Sequence, residues 1–319
     1  MHGFDLFNGD ADGLCSLHQL RLCEPRSASL VTGVKREIDL LRHLPEGPSL
    51  EVTALDLCFD RNAGHVRRVL EAGGTVQYFD HHAASLCFEH PCLRTCIDPS
   101  PEVCTALLVD RHVGGRHRDW AITGAFGDNL LSVAEKLAQE RGHGDEATLQ
   151  LRNLGLLLNY NAYGETVQDL HFHPQALYEA LHAFESPFDF VVSSPHYQAL
   201  ADGYRDDQQH AQSLRPHRES DDGALYLLPA APWARRLSGT LANALTQRSP
   251  GACVALLTAR AEGGYVVSVR TRAGVGADVL CRRYADGNGR AGAAGIDRLP
   301  EAELDRFIAD YFRHIERGT

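Results

Sequence analysis

Residues 75–86 run "TVQYFDHHAASL", a β-branched and aromatic stretch that stops abruptly on Asp80, His81 and His82. Val, Tyr and Phe at this density favour a strand, and a short apolar run of this kind fits a buried one. An acid and two imidazoles in succession at a strand's end have the makings of a metal or substrate site, and they need partners. The flanking sequence supplies a frame. "NAGHVRRVLEAGG" (62–74) predicts a helix closed by glycines. "SLEVTALDL" (49–57) and "HGFDLFN" (2–8) predict two more strands. "GLCSLHQLRLCE" (13–24) predicts a helix with Leu14, Leu17, Leu20 and Leu22 giving a roughly helical apolar face. "CTALLVDRHV" (104–113) predicts a helix, and "WAITGAFGDN" (120–129) a buried strand and turn. Strands alternating with helices make βαβ units, so the expected class is α/β with a mainly parallel N-terminal sheet.

From 130 to about 185 the pattern is helical. Residues 186–220 are polar and predict a linker containing a helix. Strand and helix patterns then restart with "ALYLLPA", "WARRLSGTLANALTQ", "ACVALLTAR", "GYVVSVRTR" and "GADVLCRRYA". The glycine-rich "DGNGRAGAAG" and a final helix, "EAELDRFIADYFRHI", follow. The expected layout is an N-terminal domain over 1–188, a linker over 189–220 and a smaller C-terminal α/β domain over 221–319, with the active site in the cleft between the domains.

Composition narrows the function classes. The 319 residues carry a formal charge of −11, which argues against coating long duplex nucleic acid. No stretch approaches the roughly 20 apolar residues of a membrane span. The N-terminal "MHGFDLFNGDADG" lacks a basic region and an apolar signal core. Nine scattered cysteines predict reduced thiols and a cytoplasmic setting. Lys35 and Lys136 are the only lysines, against 29 arginines, so phosphate-binding cations are expected to be arginines.

Acids stand at the end of each proposed strand: Asp10 and Asp12 in "NGDADG", Asp56 in "VTALDL", Asp80 before the two histidines, and Asp128 in "GAFGDN". In an open parallel sheet, ligands bind beyond the carboxyl ends of the strands, so these distant acids could meet. Gathered carboxylates repel one another unless a cation joins them. Oxygen donors with an imidazole suit manganese, or magnesium or another first-row ion, better than structural zinc. An ion pair would lower the pKa of water and clamp both oxygens of an in-line phosphoryl displacement. The wider spacing of Cys87, His90, Cys92, Cys96 and Cys104 predicts ordinary thiols rather than a zinc site. "HFH" before Pro174 predicts a helix start, and "NYNAYGE" (159–165) either a substrate-side loop or a helix connection.

These motifs, in this order, resemble the DHH phosphoesterase superfamily of RecJ-type exonucleases, nanoRNases and cyclic-dinucleotide phosphodiesterases. "NGDADG", "ALD", "FDHH" and "GAFGDN" are similar to its four motifs, and "GNGRAGAAG" (287–295) to the signature of its DHH-associated C-terminal domain. The resemblance implies that Asp10, Asp12, Asp56, His81 and Asp128 bind two divalent cations, with Asp56 as the bridge. It implies that Asp80 sits behind them, ligating or orienting an imidazole, and that His82 faces the scissile phosphate. Arg290, with the amides of Gly287, Asn288 and Gly289, would hold a substrate phosphate or base, assisted by Arg270 in "VVSVRTR". Two positions depart from the pattern. Leu6 stands where many nanoRNase-like members carry a His, which predicts a weaker first metal, and Arg290 replaces the commoner His. His81 and His82, being adjacent, are expected on opposite faces of an extended chain.

The implied function is a two-metal phosphodiesterase cutting short linear oligonucleotides or dinucleotides from the 5′ end to mononucleotides, with a homodimer as one assembly. A cyclic-dinucleotide phosphodiesterase and a RecJ-like single-strand 5′ exonuclease are the alternatives. A non-catalytic nucleotide sensor fits less well because the metal acids are all present. "AGAAG" argues against an inorganic pyrophosphatase of the same superfamily.

Overall fold

Five short runs rich in Leu, Val and Phe build the first sheet: β1 (His2–Phe7), β2 (Ser29–Val31), β3 (Leu50–Leu55), β4 (Thr75–Asp80) and β5 (Leu93–Ile97). A computed structural model describes residues 2–248 and 251–317. All pairings in this sheet are parallel, in the order β2-β1-β3-β4-β5. The chain winds outward from β1 in both directions, so a crevice opens where β1 and β3 end, the usual ligand position in such sheets.

Helices cover both faces, as a parallel sheet requires. On one, Phe4, Leu6, Val52, Ala54, Val76 and Tyr78 pack with Phe59, Val66, Val69 and Leu70 of α2 (Phe59–Glu71). On the other, α1 (Ala11–Cys23) sends Arg21 into the buried Asp5 carboxylate of β1 through two 2.7 Å bonds, and on to Thr53 at 3.0 Å. Then come α3 (Thr105–His112), α4 (Arg118–Gly127), α5 (Leu131–Glu140), α6 (Asp145–Ala162), α7 (Pro174–His182), α8 (Pro187–Ser193) and α9 (Pro195–Gln212). His173 caps α7, accepting from Gln175 N at 3.2 Å with Pro174 in the first turn, as the sequence predicts.

One sequence expectation is corrected. "WAITGAFGDN" is not a strand: it forms α4 with Asp128 as its C-cap. A continuous apolar run does not distinguish a buried strand from a buried helix. Its glycines are contact surfaces, since a Cβ on Gly127 would lie 2.2 Å from the Ala11 Cβ of α1 and 3.0 Å from the Gly155 carbonyl of α6. The polar 186–220 stretch, expected to contain a helix, carries two, α8 and α9.

The chain divides into compact units over Met1–Gly203 and Tyr204–Thr319. The second unit has its own sheet: β6 (Arg218–Ser220), β7 (Gly223–Leu228), β8 (Cys253–Ala259), β9 (Tyr265–Arg270), β10 (Gly287–Arg290) and β11 (Ala293–Leu299). Their order is β10-β11-β9-β8-β7-β6, and only β7 and β8 run parallel. Leu228, Val254 and Leu256 pack with Ala234 and Ala242 of α10 (Pro232–Arg248). Another cluster joins Val267 and Val269 to Leu280 of α11 (Ala277–Cys281) and to Phe307, Tyr311 and Ile315 of α12 (Leu304–Arg317). The glycine run forms the β10–β11 hairpin. Gly289 has φ +138°, and a Cβ there would sit 2.4 Å from the Ala294 Cα, so close packing demands this glycine. Together the two sheets give the expected α/β class, a parallel N-terminal sheet followed by a mixed six-stranded sheet in a smaller C-terminal unit. Among the described residues, no helix is long and apolar enough to cross a membrane.

The α4 contact gives a stability prediction. Gly127→Ala should cost about 1–3 kcal/mol through overpacking. Gly64→Ala, where an added Cβ meets nothing within 4 Å, should be neutral or stabilising. Thermal melts of the two variants separate a packing glycine from an incidental one.

Candidate active site

The ends of β1, β3 and β4 deliver the acids and histidines to one place, and neighbouring helix termini hold them there. Asp10 caps α1, its Oδ1 accepting from Gly13 N at 3.1 Å. Asp12, in the first turn of α1, accepts from Thr105 N at 2.8 Å and Ala106 N at 2.7 Å. It therefore satisfies the start of α3, where the N-cap residue Cys104 makes no side-chain capping bond. Asp56 follows β3 directly and has φ 57°, the left-handed region that non-glycine residues seldom enter. Its amide donates to Phe79 O at 3.0 Å, and its Oδ1 accepts from Thr105 Oγ1 at 3.3 Å. Such backbone strain concentrates at functional sites.

Asp80 is fully buried and organises its surroundings. Its Oδ2 accepts from Phe59 N at the start of α2 at 3.2 Å; its Oδ1 accepts from His82 N at 3.2 Å and His82 Nδ1 at 2.6 Å. Of the two roles expected of Asp80, the geometry is the orienting one, toward His82. His81 Nδ1 faces Val103 O at 3.1 Å. A carbonyl only accepts, so Nδ1 carries a proton and Nε2 is the nitrogen turned toward the acids. That Nε2 lies 3.4 Å from Asp56 Oδ1, 3.8 Å from Asp128 Oδ2 and 3.9 Å from Asp12 Oδ2.

The histidines do not point to opposite faces as expected. Their ring centroids are 4.6 Å apart and tilted by 53°. Strand β4 ends at Asp80, so strand alternation stops before residues 81 and 82.

Among the described residues, Asp12, His81 and Asp128 offer one ligand atom each, all within 4.8 Å of one another. Asp56, His81 and His82 form a second such group sharing His81. The electrostatics match a cation site. Burial first, then the charges of Asp12 and Asp10, push the Asp56 carboxyl well above the ordinary range. Burial and the charges of Asp128 and Asp10 raise Asp12 despite the opposing effect of His81. His82 is also raised: burial opposes its charge, but the Asp80 bond and charge outweigh that. Oxygen donors, one imidazole nitrogen turned toward them and mutually repelling buried acids fit a divalent ion.

Lys35 was missed as a site residue. Its ammonium hydrogen-bonds Asp10, meets Asn159 Oδ1 at 3.0 Å and lies 3.8 Å from Asp128 Oδ1. Burial would lower Asp10's readiness to ionise, but Lys35 holds its carboxyl below the ordinary value. The signal was available in one respect: Lys35 is one of two lysines in an arginine-rich chain. "NYNAYGE" supplies Asn159 from α6, and Tyr163, whose ring centroid is 5.7 Å from the ammonium.

In the second unit, register pairs Arg270 with Ala293, and Ala293 with Arg290. Directly opposed residues share a sheet face, so both arginines leave the same side. Arg270 Nε donates to Asn243 Oδ1 of α10 at 2.9 Å, while Arg290 is exposed. The Gly287 amide donates to Tyr284 O at 3.2 Å and the Gly289 amide to the Asn288 side chain at 2.8 Å, so both already have acceptors.

No family model and no curated protein matches the chain in sequence. Solved structures match it closely in fold. RecJ from Thermus thermophilus, in complex with Mn2+, is 16% identical with a TM-score of 0.60, covering 99% of this chain. The chain spans about half of that protein, 52% of its length. The DHH domain of a member of the S1p family of ribosomal proteins is 12% identical with a TM-score of 0.62, covering 98% of this chain and 86% of the other. A pGpG-specific phosphodiesterase from Vibrio cholerae is 17% identical with a TM-score of 0.56, and each chain is covered in full, 100%. The chain has the fold of the DHH-family phosphoesterases.

The repulsion among the acids is measurable. In metal-free protein, Asp56→Asn should raise the melting temperature by removing one buried like charge. Mn2+ at 100 times its Kd should then stabilise the wild type by about 2.7 kcal/mol and the variant by much less. A metal-free wild type that melts above the variant would contradict this electrostatic account.

Proposed function

We propose that the protein is a divalent-cation-dependent phosphodiesterase that releases mononucleotides from the 5′ end of short linear oligonucleotides or dinucleotides. The observation that carries this is the convergence of Asp12, Asp56, His81, His82 and Asp128 beyond the strand ends. Asp12, Asp56, His81 and Asp128 would hold the cation, manganese foremost. When bound, such an ion supplies Lewis acidity to water and to a phosphoryl oxygen. The chain's own groups do the rest. Val103 O fixes the His81 tautomer, which keeps Nε2 free for coordination. Asp80 fixes the His82 ring and favours its charged form, so His82 can donate to a phosphoryl oxygen. The Thr105 and Ala106 amides stabilise Asp12 as a carboxylate.

A short substrate is favoured by the acidic chain, −11 overall, and by the end-to-end likeness to a pGpG-specific phosphodiesterase. The RecJ likeness leaves about half of that longer protein uncovered. A 5′-phosphorylated dinucleotide is the shortest member of the proposed substrate class, and the cyclic dinucleotide is the second reading. In the second unit, Arg290 is proposed to hold the terminal phosphate, with Arg270 beside it.

With Mn2+ and 5′-phosphorylated RNA from 2 to about 24 nucleotides, mononucleotide release should be fastest at two to five. Equal or faster release from the longest strand would instead indicate a RecJ-like exonuclease, and opening of a cyclic dinucleotide the second reading. Asp56→Asn should abolish turnover in a folded protein. Arg290→Ala should raise KM for 5′-phosphorylated substrates, with kcat little changed. An equal loss for substrates lacking that phosphate would remove Arg290 from terminal-phosphate recognition.

A further inference from the structure

Lys35 is pinned in place. Its amide donates to Ala162 O at 2.9 Å, and its carbonyl accepts from Asn8 Nδ2 at 3.2 Å. Only 24% of its side chain is exposed. The ammonium's nearest oxygens belong to Asp10, Asn159 and Asp128. An ion on Asp10 would need oxygens about 2.0–2.6 Å from its centre, which is the space the ammonium fills.

Two independent observations agree. Asp10 is absent from both ligand groups, although it is buried beside them. Leu6, fully buried, offers no donor on the β1 side. Asp10 also shares a side-chain hydrogen bond with Asp56, but its Oδ1 accepts from Gly13 N and its Oδ2 from the Lys35 ammonium, so Asp12, Asp56, His81 and Asp128 are the groups that remain for an ion.

We infer that Lys35 takes the place of one of the two expected divalent ions, so that the centre holds a single ion and a tethered ammonium. This rests on the phosphodiesterase reading of the same site. It accounts for a lysine in a chain that otherwise relies on arginine. An ammonium is a compact point charge that can occupy an ion's place, whereas a planar guanidinium needs more room. Charge is also served: an ammonium and one divalent ion put three positive charges against four carboxylates, and Asp12 already accepts two amides. A tethered cation cannot dissociate, so metal should enter in a single binding event.

Counting bound Mn2+ tests this without reference to activity. Equilibrium dialysis with elemental analysis should find one Mn2+ per wild-type chain, and the EPR spectrum should lack the signature of a coupled pair. Asp10→Asn should still hold one ion, with affinity within about threefold, because Asp10 is not a ligand. Lys35→Met, verified as folded by circular dichroism, should acquire a second ion. Two ions in the wild type, an ion lost in Asp10→Asn, or a Lys35→Met chain that still binds one would overturn the inference. A wild type that binds no Mn2+ would overturn the phosphodiesterase reading itself.

Discussion

Gathering four carboxylates where little water reaches is the constraint on which the rest of the structure depends. Asp10, Asp12 and Asp56 are each no more than 2% exposed, and Asp128 lines the same place. Buried like charges oppose one another's ionisation, and only positive charge makes the arrangement favourable. The chain brings one such charge itself, on Lys35. Nε2 of His81 lies within 3.9 Å of Asp12, Asp56 and Asp128, where the proposed ion would bring another.

The fold meets this constraint with ordinary parts. Asp10 caps α1, Asp12 accepts the first amides of α3, and Asp80 accepts the first amide of α2. Helix N-termini carry partial positive charge, so the same contacts that position the acids also offset their repulsion. Gly127 and Ala11 let α4 approach α1 closely, and that approach brings Asp128 to the site. The costs fall on the backbone of Asp56, held at φ 57°.

Much of this was legible in the sequence because strand ends write themselves plainly. Apolar runs closing on Asp10, Asp56 and Asp80 announced both the parallel sheet and the acids that gather at its edge. The α4 segment was not legible, because an unbroken apolar run carries no period, and its glycines signal packing only once α1 and α6 are placed beside them. The pose of His81 and His82 depended on where strand pairing stops, which the side-chain pattern does not encode. Lys35 lay beyond motif logic altogether. It follows a three-residue strand, and its role exists only because "NYNAYGE" brings Asn159 and Ala162 to it. In the second unit the glycine run was visible, but its identity as a hairpin with Arg290 opposite Ala293 comes from register.

The central claim is that Asp12, Asp56, His81 and Asp128 form one cation centre beside an ammonium already seated on Asp10. A crystal of the wild-type protein grown with Mn2+, measured at the manganese absorption edge, tests it most directly. The account predicts one anomalous peak within bonding distance of Asp12, Asp56, His81 and Asp128, with Lys35 still bonded to Asp10. A peak coordinated by Asp10 with Lys35 displaced, or no peak among these residues, would contradict it.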